Sequence, residues 1–150
     1  NTTSNIAGQS IFETGRRLKH VKENDLAHGE FGKWLEKVGL DKYQASRFIK
    51  VANEQSKLHS SANLGLKALY QIATIPVEHR EEKQQTSSGE MKTPYEMTNK
   101  EREEFKRQLK QRDEENAQLQ SQMEQAQRSE EIARKQYKYG LNNYIFTIKF

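Results

Sequence analysis

Residues 31–50 have the sequence FGKWLEKVGLDKYQASRFIK, and this stretch decides the predicted fold. Its apolar residues recur at three- and four-residue steps on both sides of Gly39, which predicts two short helices joined by a tight turn. Glycine suits such a turn because it has no Cβ that would clash at positive φ. Asp41 follows the turn as a candidate N-cap of the second helix. The residues expected to set the angle between the helices are Trp34, Leu35, Val38, Leu40, Ala45, Phe48 and Ile49.

The second half of this motif leaves a mostly basic and polar surface beside its apolar positions. In DNA-binding helix-turn-helix proteins the second helix enters the major groove, and cations on its outer side attract phosphates. The residues expected to face base edges are Lys42, Tyr43, Ser46 and Arg47. The residues expected to contact phosphates are Lys50, Lys33, Arg16 and Arg17. The alternative is a helical hairpin that only packs a core, but that alternative does not account for the basic cluster.

The composition predicts a small core joined to a long solvated element. Only 33% of the 150 residues are apolar and 31% are charged, which is too polar for one globule packed throughout. The net charge is +4, and the whole excess lies in residues 1–75, because residues 76–150 carry equal numbers of basic and acidic side chains. A basic excess around the helix-turn-helix agrees with a polyanionic partner.

Cysteine usage and hydropathy bear on the compartment of the protein. The chain has no Cys, which excludes disulfides and agrees with a reducing environment. No apolar run reaches the roughly 20 residues that span a bilayer, and residues 1–10 lack the pattern of a signal peptide. We therefore expect a cytoplasmic protein with no membrane partner.

Signatures of catalysis and of metal binding are missing from the sequence. The four histidines have no carboxylate or Cys at metal-ligand spacing, and there is neither a glycine-rich phosphate loop nor a nucleophile elbow. Adjacent acidic pairs such as Glu103-Glu104 point in different directions on a helix, so they cannot form a catalytic dyad. We expect no catalytic residue, no metal and no cofactor, and hence no enzymatic activity.

The remaining patterns predict an all-α fold in four parts. Residues 1–76 are expected to form a small helical bundle around the helix-turn-helix, with further helices over residues 4–23 and 63–74. Residues 77–97 are polar and carry Gly89 and Pro94, so we expect a flexible linker. Residues 98–139 are expected to form a long helix, and residues 140–150 are expected to form a short apolar tail.

The long helix carries the pattern of a coiled coil. Thr98 and Glu101 have the spacing of a capping box, and neither Gly nor Pro follows before Gly140. Apolar and small residues then recur at alternating four- and three-residue steps. The residues expected to form the interface of a homodimer are Phe105, Leu109, Asn116, Leu119, Met123, Ala126 and Ala133. The alternative is a single solvated helix held by ion pairs between its own turns.

The tail differs from the helix before it. We expect Gly140 to end the helix, and the alternating Tyr144, Phe146 and Ile148 predict a short strand. One strand is not stable alone. We therefore expect the tail either to dock on a partner or to fray.

Two segments carry a resemblance to a known family: HGEFGKWLE at residues 28–36 and YQASRFIKVA at residues 43–52. They resemble uncharacterised proteins carried by phages, plasmids and other mobile elements of Gram-positive bacteria. The resemblance covers residues 11–60 and extends more loosely over residues 63–82. It implies an amino-terminal helix-turn-helix that is often followed by a coiled coil, and it implies no enzymatic activity.

Together these inferences predict a sequence-specific protein that binds double-stranded DNA and forms a homodimer through its carboxy-terminal helix. The expected role is regulation of transcription, replication or partition in a mobile element. One alternative is an adaptor or inhibitor that uses the helical module and the coiled coil to bind a host protein. A second alternative is a scaffold in which the long helix builds a larger assembly.

Overall fold

A computed structural model describes residues 2–58 and 64–149, with side chains from residue 7 onward. Within these ranges the α-helices are α1 (Thr2–His20), α2 (Phe31–Val38), α3 (Lys42–Asn53), α4 (Leu66–Ala73) and α5 (Asn99–Ile148). A small antiparallel sheet pairs β1 (Gln84–Gln85) with β2 (Met91–Lys92). The predicted all-α class is confirmed. Residue 63, where a predicted helix was expected to begin, lies outside the described residues, and so does Phe150 at the end of the predicted tail.

The two predicted short helices and the turn between them are present. Gly39 ends α2 with φ at 72°, in the left-handed region that favours glycine. The Asp41 side chain then caps α3, because its Oδ1 accepts hydrogen bonds from the backbone N–H groups of Tyr43 and Gln44 at 2.9 and 3.0 Å. Of the apolar residues expected to set the angle, Val38 is the exception, since its side chain is 53% exposed. The others pack with Leu18 of α1, which is buried, and with Phe31.

α1 and α3 cross at Gly15 without room for a side chain. A Cβ on Gly15 would lie 2.1 Å from the carbonyl oxygen of Phe48 and 2.6 Å from the Cβ of Ala52. Beyond this crossing, a second apolar cluster joins α1, α3 and α4. Its buried members are Phe12, Val51, Leu58, Leu69, Ile72 and Ala73.

We predict that Gly15→Ala lowers the free energy of unfolding by about 1–3 kcal/mol, because the added methyl group overpacks the crossing. Gly8→Ala is the matched control in the same helix, since a Cβ there meets nothing within 4 Å. Ala is the better helix former, so this control should raise stability by up to about 1 kcal/mol. Denaturant titration followed by circular dichroism measures both changes. Equal stabilisation by the two variants would contradict the close crossing.

The chain divides into two compact units, Asn1–Lys106 and Arg107–Phe150. Residues 77–97 therefore belong to the first unit, and their prediction as a flexible linker between domains is wrong. Arg80, which is 4% exposed, is one reason. Its guanidinium donates hydrogen bonds to the carbonyl oxygens of Ile75 and Ala73 at 2.8 and 3.0 Å, and to the Glu54 carboxylate at 3.2 Å.

Arg102 holds the other end of this segment, and it is 3% exposed. Its guanidinium donates to Gln71 Oε1 and to the carbonyl oxygen of Pro94, each at 3.0 Å. It also donates to the Met97 carbonyl oxygen and to Asn99 Oδ1. These four acceptors are uncharged, and burial lowers the pKa of Arg102 below its usual value. Hydrogen bonds to neutral groups thus offset the cost of desolvating the cation.

We predict that Arg102→Met lowers the free energy of unfolding by about 2–4 kcal/mol, because it leaves several buried acceptors without a donor. Arg128→Met, at an exposed position of α5, should change stability by no more than about 0.5 kcal/mol. Limited trypsin digestion should also cut the Arg102→Met variant at Lys83 faster than the wild type. Unchanged stability and unchanged cleavage would show that Arg102 does not hold this segment.

α5 begins at the predicted capping box. The Thr98 N–H donates to the Glu101 carboxylate at 2.7 Å, and the Glu101 N–H donates to Thr98 Oγ1 at 3.2 Å. The backbone and side-chain hydrogen bonds from Thr98 hold the pKa of Glu101 below its usual value. These hydrogen bonds satisfy two backbone N–H groups at the start of the helix.

The predicted end of this helix is wrong, because α5 continues through Gly140 to Ile148. The predicted strand over residues 140–150 is absent from the described part of the tail. A Gly inside a helix costs only about 1 kcal/mol, which is too little to end a long helix. Leu141, Tyr144 and Ile148 also follow a three- and four-residue spacing. This helical pattern, and not the alternating pattern that predicted a strand, matches the structure of the tail.

Candidate nucleic-acid interface

α3 is packed on one side and exposed on the other. Ala45 and Val51 are fully buried, which fixes the inner side of the helix. The residues predicted to face base edges lie on the outer side and are all exposed: Lys42, Tyr43, Ser46 and Arg47. We call these four residues the α3 flank. A partner can therefore reach this part of the helix without displacing the core.

Aromatic rings hold the two cations of the α3 flank. The Lys42 ammonium lies 5.1 Å from the centre of the Tyr43 ring, and the Arg47 guanidinium lies 5.6 Å from the centre of the Tyr70 ring. Within the described part of the chain, neither cation forms an ion pair with a carboxylate. Both can contact a phosphate or a base without first breaking a salt bridge. The contact of Tyr70 with Arg47 could not be predicted from the sequence, because it depends on how α4 packs beside α3.

The predicted phosphate contacts on α1 are exposed but already paired. Arg16 and Arg17 both bind the Glu13 carboxylate, at 2.7 and 2.8 Å. Hydrogen bonds from Arg17, and then from Arg16, lower the pKa of Glu13 below its usual value. A phosphate would have to compete with this carboxylate. The competition is mild, because solvent screens an exposed ion pair.

The two other predicted phosphate contacts are paired as well. Lys33 lies 3.0 Å from Glu30, and Lys50 lies 3.5 Å from Glu54. Burial would raise the pKa of Glu54, but the hydrogen bond from Arg80 and the charge of Lys50 lower it below its usual value. Lys50 thus belongs partly to the network that orders the segment after α4. Lys33 is the more accessible of the two lysines.

A depression of about 210 Å³ lies beside the α3 flank, between α2 and α3. Apolar side chains line it, including Phe31, Leu35 and Ile49, while Lys22, Lys42 and Ser46 supply its polar groups. Lys22 Nζ also lies 5.8 Å from the centre of the Phe31 ring. Apolar side chains can contact the methyl group of thymine in the major groove. The depression therefore adds an apolar contact surface to the basic and polar groups of α3.

The structure separates the predicted interface residues of α5 into two groups. Phe105 and Leu109 are buried within the single chain, so their prediction as dimer contacts is wrong. Their apolar spacing is the same as that of the later residues, which is why the sequence did not distinguish them. The remaining residues are exposed: Asn116, Leu119, Met123, Ala126 and Ala133.

A family model described as "Protein of unknown function (DUF3102)" matches residues 1–126. The chain belongs to this family. No match was found among curated proteins or among solved structures. The description of the DUF3102 family assigns no activity and says nothing of a helix-turn-helix or a mobile element. The family match therefore assigns no function to this member.

The described residues offer neither a metal site nor a membrane span. Across residues 2–58 and 64–149, no group of three or more His, Asp and Glu side chains is placed to hold a metal ion. None of the helices there combines the length and the apolar character required to cross a bilayer.

Proposed function

We propose that this DUF3102 protein binds double-stranded DNA in a sequence-specific manner, with α3 in the major groove. The observation that carries the proposal is the exposed α3 flank, whose cations lack carboxylate partners among the described residues. A single α-helix fits the width of the major groove. The role that we propose is regulation of transcription, replication or partition in a mobile element. The basic excess of residues 1–75 supports a polyanionic partner.

Arg47 is the residue that we propose to select a base. Contact with the Tyr70 ring limits the conformations of its side chain, so less freedom is lost on binding. A guanidinium can donate two hydrogen bonds to N7 and O6 of guanine, which is worth about 1–3 kcal/mol of discrimination. Lys42, Tyr43 and Ser46 contact the neighbouring base edges in this proposal.

The surrounding cations position the protein on the DNA backbone. Lys33, Arg16 and Arg17 are exposed, and each exchanges a carboxylate for a phosphate at small cost. Lys50 contributes less, because it is half-buried beside Glu54. Such contacts carry no sequence information, but they supply affinity that depends on salt.

We further propose that two copies act together through α5. A homodimer can bind two half-sites, and linking two binding modules raises the overall affinity without any new contact. The alternative function is an adaptor or inhibitor that binds a host protein. The exposed Leu119 and Met123 of α5 favour that alternative, since another protein can also cover them.

We predict that selection from a random DNA pool yields a defined motif at both low and high salt. On that motif, the double variant Lys42→Ala/Arg47→Ala should lower the affinity at least about tenfold, because it removes a base contact and two cations. The slope of log affinity against log salt should fall by about 1–2. Fluorescence anisotropy with a labelled duplex measures both quantities.

The control for this experiment removes the same charge elsewhere. Arg128→Ala/Lys135→Ala changes two exposed residues of α5 and should leave the affinity within about twofold of the wild type. Equal losses of affinity in both double variants would show that net charge alone accounts for the interaction. If no motif is selected and the α3 variant retains DNA as the wild type does, the adaptor replaces the DNA-binding proposal.

A further inference from the structure

A stripe of apolar and small side chains runs along the exposed part of α5. At 3.6 residues per turn its members lie within an arc of about 80° on one face of the helix. They are Leu119, Met123, Ala126, Ala133, Tyr137, Leu141, Tyr144 and Ile148. We call this set the distal stripe. Its large side chains are exposed, and Tyr137 is exposed to 70%.

The spacing of the distal stripe keeps it on one face. A strict heptad pattern drifts by about 20° per repeat on a straight helix. Here two successive four-residue steps, from Ala133 to Tyr137 and from Tyr137 to Leu141, cancel that drift. The stripe therefore passes through the region of Gly140 and reaches the end of α5, although the sequence pattern was expected to stop there.

The borders of the distal stripe are mostly uncharged. The flanking residues are Gln120, Gln122, Gln127, Ser129 and Gln136. Charged residues lie mainly on the other faces of the helix, as Glu124, Arg128 and Glu131 do. Glu130, within the stripe, is an exception, and so are Arg134 and Lys138 beside it. In a coiled coil, charged residues beside the apolar seam select the partner by their charge. Uncharged borders impose no such selection and cause no like-charge repulsion between two identical copies. The mostly neutral borders thus suit a second copy of this chain.

The uneven distribution of apolar residues sets the direction of pairing. Most of the large side chains lie between Tyr137 and Ile148, and a parallel pair places them against each other. An antiparallel pair that matches residue 111 of one copy with residue 148 of the other would place them against residues 111–122, which are mostly polar. Because burial of large apolar side chains against each other stabilises the pair, the parallel arrangement is favoured.

We infer that α5 forms a parallel, in-register dimer with a second copy of this chain through the distal stripe. This inference deepens the dimer part of the proposed function and rests on it, but it is independent of DNA binding. It places the interface away from Phe105 and Leu109, because both side chains are already buried in the single chain. It also gives the apolar carboxy-terminal end of α5 a partner.

The first test uses the one acid within the stripe. In the parallel dimer two Glu130 side chains face each other, so Glu130→Leu should lower the dimer dissociation constant at least tenfold. Glu131→Leu is the matched control, because it removes the same charge one position away, outside the stripe. Sedimentation equilibrium on the full chain measures both. A control that tightens the dimer equally would place the interface elsewhere.

The second test determines direction, and the absence of native Cys makes it direct. Ala126→Cys and Ala133→Cys should each form disulfide-linked homodimers on mild oxidation, because a parallel register places each residue opposite its copy. Ser121→Cys, on the opposite face, is the control and should remain unlinked. These positions are exposed, so the variants should fold as the wild type does, which circular dichroism checks.

Each other outcome overturns a stated part of the inference. In an antiparallel pair matched end to end, Cys at position 126 faces Cys at position 133, so linked dimers would form only when the two variants are mixed. If sedimentation shows a dimer but neither the single Cys variants nor their mixture form disulfide-linked dimers, the proposed register is wrong. A monomer, or an assembly larger than a dimer, would overturn the self-association itself. The DNA-binding proposal would stand or fall separately, on the affinity of the α3 variants.

Discussion

The close crossing of α1 and α3 governs the amino-terminal unit. Gly15 lets the backbone of α1 meet the Phe48 carbonyl oxygen, so α3 lies against α1 along one side. Val51 is then fully buried on that side, and Lys42 and Arg47 are left on the outer side. The absence of a Cβ on Gly15 of α1 thus fixes the orientation of the surface that is proposed to bind DNA. Any residue larger than glycine at this point would move that surface.

The sequence predicted those parts of the fold that depend on neighbours within a few residues. Gly39, the Asp41 cap and the capping box from Thr98 to Glu101 all form by local hydrogen bonds, and their spacing is visible in the chain. The order of residues 77–97 was not predictable from composition. It rests on two buried arginines that also donate to the distant side chains of Glu54 and Gln71, whereas polar composition alone indicates a flexible segment.

The candidate site was predicted in its residues but not in its surroundings. Exposure of the α3 flank follows from the apolar pattern, because the inner positions of α3 determine the outer ones. The carboxylate that holds Arg16 and Arg17 lies one turn away on the same helix, and the i,i+3 and i,i+4 spacing could have indicated it. The ring of Tyr70 under Arg47 could not have been predicted without knowing how α4 packs.

Because the residues beside the distal stripe are mostly uncharged, dimerisation through α5 should respond to ionic strength differently from DNA binding through α3. Dissolved ions screen contacts between exposed cations and phosphates, whereas they leave apolar contacts intact, and sulfate or phosphate strengthens such contacts. A rise in salt would therefore release the duplex while the paired helices stay together. The protein would leave its target as an intact pair, ready to bind again with no assembly step in between.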